Sequence, residues 1–293
     1  MRPHPAQPGD LIAIAAPAGP FDRKRFQKGV ALLKKAGFGV AFRSDIFARK
    51  AYLAGEDRRR ARELQEALEA PFSALLFARG GYGCLRALPL LNHLKVSPKI
   101  VMGSSDLTVV FIHLWQKFRM PSYYGPMVAP HLTDPKNVAR VAKALTDPDF
   151  FDRRPLKARA ILRGGRASGK LLGGCLSLVV ATLGTPWEID TKGCILFLED
   201  TNEEPYAVDR MLTQLEQAGK FKGVRGIVFG TFKQRDVLFP ASIRNVVREK
   251  LKNFPGPVLW GVRFGHCRDP LIVPFGGDGR IQGNRLVVTR GIF

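Results

Sequence analysis

The chain of 293 residues is short of acidic side chains: 25 Asp and Glu stand against 46 Lys and Arg, a formal net charge of +21. That deficit predicts a surface that attracts anions, nucleic acid and acidic lipid among them. The motifs that would commit it to nucleic acid are missing, with no zinc-finger spacing and no RNP-like aromatic motif. The densest basic cluster, Arg58-Arg59-Arg60 with Arg62, falls in a stretch with helical periodicity and reads as a basic solvated face. Cysteine is scarce too. Cys84, Cys175, Cys194 and Cys267 form no CxxC pair, which argues against a zinc ribbon, and they are too few and dispersed for a disulfide scaffold. Reduced thiols in the cytoplasm fit this usage. No apolar run approaches the ~20 residues of a membrane span. The run Leu11–Ala16 follows Gly9-Asp10, lacks a basic n-region and ends in Pro17-Ala18-Gly19-Pro20. It reads as a first buried strand rather than a signal peptide.

What the chain does have is a core and a pattern. Hydrophobic residues make up 45% and Phe occurs 20 times, which excludes a disordered chain. In the first half, short apolar runs at 11–16, 39–42, 74–78 and 99–103 alternate with helical patterns at 22–36, 57–69 and 107–118. Such alternation predicts parallel strands covered on both faces. Around 145–168 the chain becomes rich in breakers and polar residues, including Asp147-Pro148-Asp149, Arg153-Arg154-Pro155 and Arg163-Gly164-Gly165-Arg166. The second half begins at Gly169 and carries strands near 194–198, 226–230, 258–261 and 286–289, with helices at 207–218 and 241–252. The expected fold is α/β: an N-terminal parallel-sheet α/β domain over 1–155, a linker at 156–168, and a smaller β-rich α/β C-terminal domain over 169–293.

In open parallel sheets ligands gather at the carboxyl ends of strands, and four places lie just past a strand-like run. Gly103-Ser104-Ser105-Asp106-Leu107-Thr108 joins a strand to a helix. A serine on such a turn has its hydroxyl lifted clear of the sheet, with N–H groups at the helix start available to an oxyanion. The plainer alternative is a helix cap. Arg79-Gly80-Gly81-Tyr82-Gly83 could bring backbone amides to an anion or complete an oxyanion hole, or be a plain turn; no Gly-Lys-Ser/Thr follows to make it a Walker A loop. Glu199-Asp200 ends an apolar strand, where a carboxylate must be solvated, paired or functional, and Arg210 is a possible partner. His266, one of only 5 histidines, sits in the loop Gly265–Pro270 and is a candidate general base or a structural histidine. Together these give Ser, Glu and His in an order that α/β-hydrolases also use.

The motifs resemble those of the LD-carboxypeptidase family, which includes the microcin C self-immunity peptidases. The resemblance runs along nearly the whole chain: Pro8-Gly9-Asp10, Ala15–Gly19, Ala78–Gly83, Gly103–Thr108, Gly125-Pro126-Met127, Leu172-Gly173-Gly174, Leu198-Glu199-Asp200, Pro205-Tyr206, Asp209–Leu212 and Gly265-His266. Carried over by motif, it implies Ser105 as nucleophile, His266 as base and Glu199 as its orienting carboxylate, completing a triad between the two domains. It implies oxyanion donors around Gly80, Gly81 and Asp106, no metal or other cofactor, and a homodimer. Arg79 is placed to meet a substrate carboxylate, and Tyr82 to pack over the substrate. Three positions depart from the family pattern: Ser104 stands where an aromatic residue is common, Cys175 where Asn is expected after Gly173-Gly174, and Tyr124 where His often precedes Gly125. These bear on substrate preference rather than on the triad.

The reaction so implied is hydrolysis of the L,D bond between meso-diaminopimelate and terminal D-Ala of murein tetrapeptides, with no obligatory nucleic acid and no membrane span. Three alternatives stand beside it. One is a microcin C immunity-type peptidase cleaving a peptidyl or aminoacyl nucleotide. Another takes Cys84 as nucleophile in an elbow Gly81-Tyr82-Gly83-Cys84, where Arg86 occupies the position that wants Gly. The third is a basic nucleic-acid-binding protein, motivated by the charge. Glu203 and Glu204 rival Glu199 as the orienting carboxylate.

Overall fold

The computed structural model describes residues 3–151, 155–233 and 242–293. The chain forms two compact units, residues 1–150 with 292–293, and residues 151–291. In the first, strands β1 (Leu11–Ala15), β2 (Gly39–Ala41), β3 (Ala74–Phe77), β4 (Ile100–Gly103) and β5 (Ser122–Tyr124) lie in the order β5-β4-β3-β1-β2. Every one of these pairs is parallel. Strands β3 and β4 are buried at every residue, so they must be apolar throughout rather than alternating. Helices α1 (Arg23–Lys35), α2 (Asp57–Glu69), α3 (Thr108–Phe118) and α4 (Pro135–Thr146) connect and cover them.

Local chemistry sets the helix bounds. Asp22 caps α1 by accepting the Arg25 N–H at 2.7 Å, and Phe26, Gly29, Val30 and Leu33 form its buried stripe. Asp134 caps α4 through the Lys136 N–H, with Pro135 in the first turn. The strand order reverses between β1 and β3. Neighbouring strands there send their connections to opposite sides, which leaves a crevice at their carboxyl ends.

The basic cluster of α2 is only in part the solvated face expected from its composition: Arg58 and Arg62 are exposed, whereas Arg59 and Arg60 turn inward. Arg60 is fully buried and the Arg59 side chain is only 11% exposed. Arg60 Nη1 donates to Pro17 O at 2.6 Å and to Gly83 O at 2.7 Å, Nε donates to Gly55 O, and Nη2 pairs with Asp57. Glu63, also buried, accepts the Ala16 N–H at 2.7 Å and pairs with Arg59 at 2.9 Å. Burial pushes the Glu63 carboxyl up to about 7 against the pull of Arg59 and the Ala16 N–H. The signal was present in the helical period. Residues 60, 63, 64, 67 and 68 share one side of α2, and three of them are the buried Leu64, Ala67 and Leu68.

The second unit contains β6 (Leu156–Lys157), β7 (Ala160–Arg163), β8 (Arg166–Cys175), β9 (Cys194–Thr201), β10 (Gly226–Lys233), β11 (Val258–Trp260), β12 (Val273–Phe275), β13 (Asp278–Gln282) and β14 (Arg285–Arg290), with helices α5 (Pro205–Gln217) and α6 (Ile243–Lys250). Its eight-stranded sheet runs β6-β14-β13-β8-β9-β10-β11-β7. The centre, β8 to β11, is parallel and the flanks are antiparallel. The stretch 156–168 is therefore strand, where its composition suggested a linker. Its glycines, Gly164-Gly165, make the tight turn between β7 and β8; β6 and β7 are the two edges of the sheet, and Arg166 and Ser168 of β8 pair with β13. Arg153, Arg154 and residue 241 lie outside the described residues.

Replacing Arg60 by Met removes a buried cation while leaving the Pro17 and Gly83 carbonyls buried without their donor. We expect Arg60→Met to lower the unfolding free energy by about 3 kcal/mol, read as a lower denaturant midpoint with an unchanged slope. A shift below about 0.5 kcal/mol, the size of an ordinary surface substitution, would mean that those carbonyls are held by other groups.

Candidate active site

In the first unit the serine loop follows β4. Ser104 is extended, with φ −157° and ψ −174°; Ser105 has φ +63°; a short 3₁₀ turn over Ser105–Leu107 then leads into α3. A left-handed conformation at a non-glycine residue costs on the order of 1–3 kcal/mol and persists only where its surroundings enforce it. Here the Ser105 N–H donates to Tyr124 Oη at 3.0 Å, and its carbonyl accepts from Thr108 Oγ1 at 2.7 Å. Tyr124, standing where the family often has His, thus pins the serine backbone.

The glycine loop after β3 presses on the same serine. A Cβ on Gly80 would lie 2.6 Å from Ser105 Cβ and 2.8 Å from Oγ, with the Asp106 N–H 3.4 Å away. Only a glycine leaves room for the hydroxyl there. The Gly80 carbonyl accepts from Gly19 N–H at 3.0 Å, which ties the loop after β3 to the loop after β1. The Asp106 side chain turns away from this opening. It is fully buried and accepts the Cys84 N–H at 2.8 Å, and burial raises its carboxyl to about 6 despite that bond. The backbone of Asp106, not its carboxylate, is what faces Gly80.

Arg79 and Tyr82 flank the loop and are exposed. Arg79 donates to Pro20 O at 2.7 Å. Cys84 is a different matter. It is buried, and desolvation first, then Asp106, push its thiol well above the usual range. A thiol held protonated and out of water is a poor nucleophile, which removes the physical basis for the cysteine alternative.

In the second unit Glu199 lies near the end of β9, fully buried, in register with Cys175 on β8. Its Oε2 accepts both the backbone N–H of His266 at 2.9 Å and the ring Nδ1 at 2.8 Å, and Oε1 lies 3.1 Å from Nδ1. Because a carboxylate only accepts, Nδ1 carries the proton and Nε2 is left with its lone pair. The close approach needs Gly265, at φ +86°, where a Cβ would fall inside the Glu199 carboxylate. Burial opposes charge on the His266 ring, but the Glu199 hydrogen bond and the charges of Glu199 and Asp200 outweigh it, so its pKa lies above the ordinary value. Glu203 and Glu204 lie further on, at the entry to α5, and it is Glu199 that meets the ring.

Cys175, where the family pattern has Asn, donates to Asp200 Oδ1 at 3.4 Å. Asp200 in turn accepts the Ser177 and Thr201 N–H groups, each at 2.8 Å. Sequence reading missed this use of Asp200, as it missed Arg60 and Glu63. A buried Asp one residue beyond Glu199 must project to the opposite side of the strand, and that alternation was the available signal.

The parallel α/β unit with a strained serine at a strand end, and the carboxylate-oriented imidazole of the other unit, place the protein among α/β folds equipped with hydrolase side chains. The chain belongs to the LD-carboxypeptidase family: the family's N-terminal domain matches residues 12–125 and its C-terminal domain residues 168–281. The probable murein peptide carboxypeptidase of Bacillus subtilis is 33% identical over 294 residues, covering 96% of this chain and 91% of that protein. The crystal structure of a muramoyltetrapeptide carboxypeptidase from Oxalobacter formigenes superposes with a TM-score of 0.84 at 28% identity, covering 96% and 99% of the two chains. The microcin C7 self-immunity protein MccF shares the fold, with a TM-score of 0.90 at 22% identity over 100% and 99%. The protein is therefore a peptidase of the carboxypeptidase kind. Among the described residues, no helix is long and apolar enough to cross a membrane.

The His266 shift has a direct test. Its ring should titrate above the ordinary 6.5, and Glu199→Gln, which removes the neighbouring charge, should bring the midpoint down, as followed by imidazole NMR. A raised folded pKa means that the pair's stabilisation is complete below the unfolded value and is lost as pH rises through the folded one. An unchanged midpoint in the variant would show that Glu199 does not govern the ring.

Proposed function

We propose that the protein is a serine LD-carboxypeptidase that removes terminal D-Ala from murein tetrapeptides, with Ser105 as nucleophile, His266 as general base and Glu199 orienting the imidazole. The observation that carries this reading is Ser105 itself: a strained, non-glycine residue at the end of a central strand, its hydroxyl against the glycine loop. The names of the Bacillus and Oxalobacter relatives support the murein substrate. The likeness to MccF, at 22% identity, speaks for the fold alone.

The chemistry follows from the groups. Nε2 of His266 takes the Ser105 proton as Oγ attacks the carbonyl of meso-diaminopimelate. Backbone N–H groups of Gly81 and Asp106 receive the oxyanion, a contribution on the order of 3 kcal/mol for each donor. The imidazolium, stabilised by Glu199, then protonates the departing amine of D-Ala, leaving an ester on Ser105 that water hydrolyses with His266 again as base. Arg79 and Tyr82 receive the substrate beside this centre.

Incubation with L-Ala-γ-D-Glu-meso-diaminopimelate-D-Ala, followed by mass spectrometry, should show loss of one D-Ala by wild type and none by Ser105→Ala. Loss with both proteins would remove Ser105 from the mechanism; loss with neither would move a peptidyl or aminoacyl nucleotide to the front. Glu199→Ala should cost at least ~100-fold in kcat, in keeping with triad carboxylates, while Glu203→Ala and Glu204→Ala stay within a few-fold. Full activity of Glu199→Ala would contradict the assignment. The acid limb of kcat/KM should follow His266 and lie above 6.5.

A further inference from the structure

At the reversal of strand order between β1 and β3, the two loops bonded through Gly19 and Gly80 open onto a cavity of about 680 Å³. Its lining includes Gly19, Arg49, Tyr52, Arg79, Gly81 and Tyr82. All belong to the first unit, and the glycine that abuts the Ser105 hydroxyl lies between Arg79 and Gly81. The cavity is thus lined by both chain neighbours of the glycine that abuts Ser105, the nucleophile of the proposed function.

The two arginines stand out from their neighbours. Arg43 pairs with Asp45 and Glu66, Arg59 with Glu63, and Arg60 and Arg86 with Asp57. Arg49 and Arg79 have no carboxylate partner among the described residues. Each donates to a single backbone carbonyl, Arg49 Nε to Ala51 O at 3.3 Å and Arg79 Nη1 to Pro20 O at 2.7 Å. Most of their donors are left over, and those donors line a concave space. Tyr52 and Tyr82, 62% and 45% exposed, face each other there with ring centroids 6.0 Å apart. Exposed tyrosines lining a cavity offer a ligand an apolar ring face together with a hydroxyl group.

From this we infer that Arg49, with Tyr52, completes a carboxylate-recognition subsite around Arg79 that selects substrates by the free terminal carboxylate of the residue to be released. The inference rests on the proposed nucleophile and adds the specificity element, which makes the enzyme a carboxypeptidase rather than an endopeptidase. A planar guanidinium matches a carboxylate through two parallel hydrogen bonds. Arg79 already spends one Nη1 hydrogen bond on Pro20 O, so Arg49 supplies the donors that complete the pairing with the carboxylate, while the tyrosine rings cover the short side chain beside it. An amide-capped or extended peptide brings no charge to these donors and must still displace their water. A site built for a charged partner discriminates against such a ligand.

The test compares the free-acid tetrapeptide with its C-terminal amide on wild type, Arg49→Gln and Arg49→Lys. Wild type should favour the acid by about 10- to 100-fold in KM, the worth of a charge-assisted hydrogen bond. Arg49→Gln should erase most of that preference by raising KM for the acid, with kcat within a few-fold and the amide unaffected; Arg49→Lys should restore part of it. Equal handling of acid and amide by wild type, or equal losses on both substrates in Arg49→Gln, would overturn the inference and leave the nucleophile assignment intact. Should wild type cleave neither peptide, the reaction assigned above fails. Calorimetric titration of both peptides into Ser105→Ala, with and without Arg49→Gln, then decides the subsite. Tighter binding of the acid that disappears with Arg49→Gln sustains it, and absence of that difference ends it.

Discussion

A guanidinium taken wholly out of water holds together the loops that follow β1 and β3 in the first unit. Arg60 bonds the carbonyls of Pro17 and Gly83, which follow neighbouring central strands, and Asp57 balances its charge. A buried cation is costly unless its donors are met, so the two loops have little freedom to part. Glu63, one turn along α2, adds the Ala16 N–H to the same clamp. The glycine loop is thereby held against Ser105, and the strained serine backbone has something to lean on. Strain at one residue and burial of a charge at another are two ends of one arrangement.

The second unit uses the same economy differently. Glu199 is fully buried, and its two oxygens meet the backbone and ring of His266. The carboxylate fixes both where the loop runs and which ring nitrogen carries the proton. A glycine at 265 is the condition for this, since a side chain there would occupy the carboxylate's place. Asp200, on the other side of the strand, secures the end of β8 through Ser177 and Cys175. Consecutive carboxylates thus serve opposite faces of β9, one toward the His266 ring and one toward the end of β8.

The sequence alone determined the class of fold, the elements of the parallel unit and the family. Fully buried parallel strands must be continuously apolar, so β1, β3 and β4 stood out, and the periodicity of 22–36 and 57–69 marked α1 and α2 as helices. The motifs around Ser105, Glu199 and His266 were legible because each lies just past a strong apolar run. Weaker elements escaped: β5 is three residues long and β6 two, β7 is a four-residue edge strand with Ile161 exposed, and β8 mixes glycines with polar residues. Only the tertiary structure decided which charges are buried and which are spent. Arg58, Arg59 and Arg60 are alike in composition, yet the rotation of about 100° per helical residue sends Arg60 into the interior and binds it to carbonyls from two distant loops. Arg49 and Arg79, no different as residue types, keep their donors uncommitted. Sequence records a side chain's charge, but its solvation and its partners are properties of the packed chain, and these fix what that charge does.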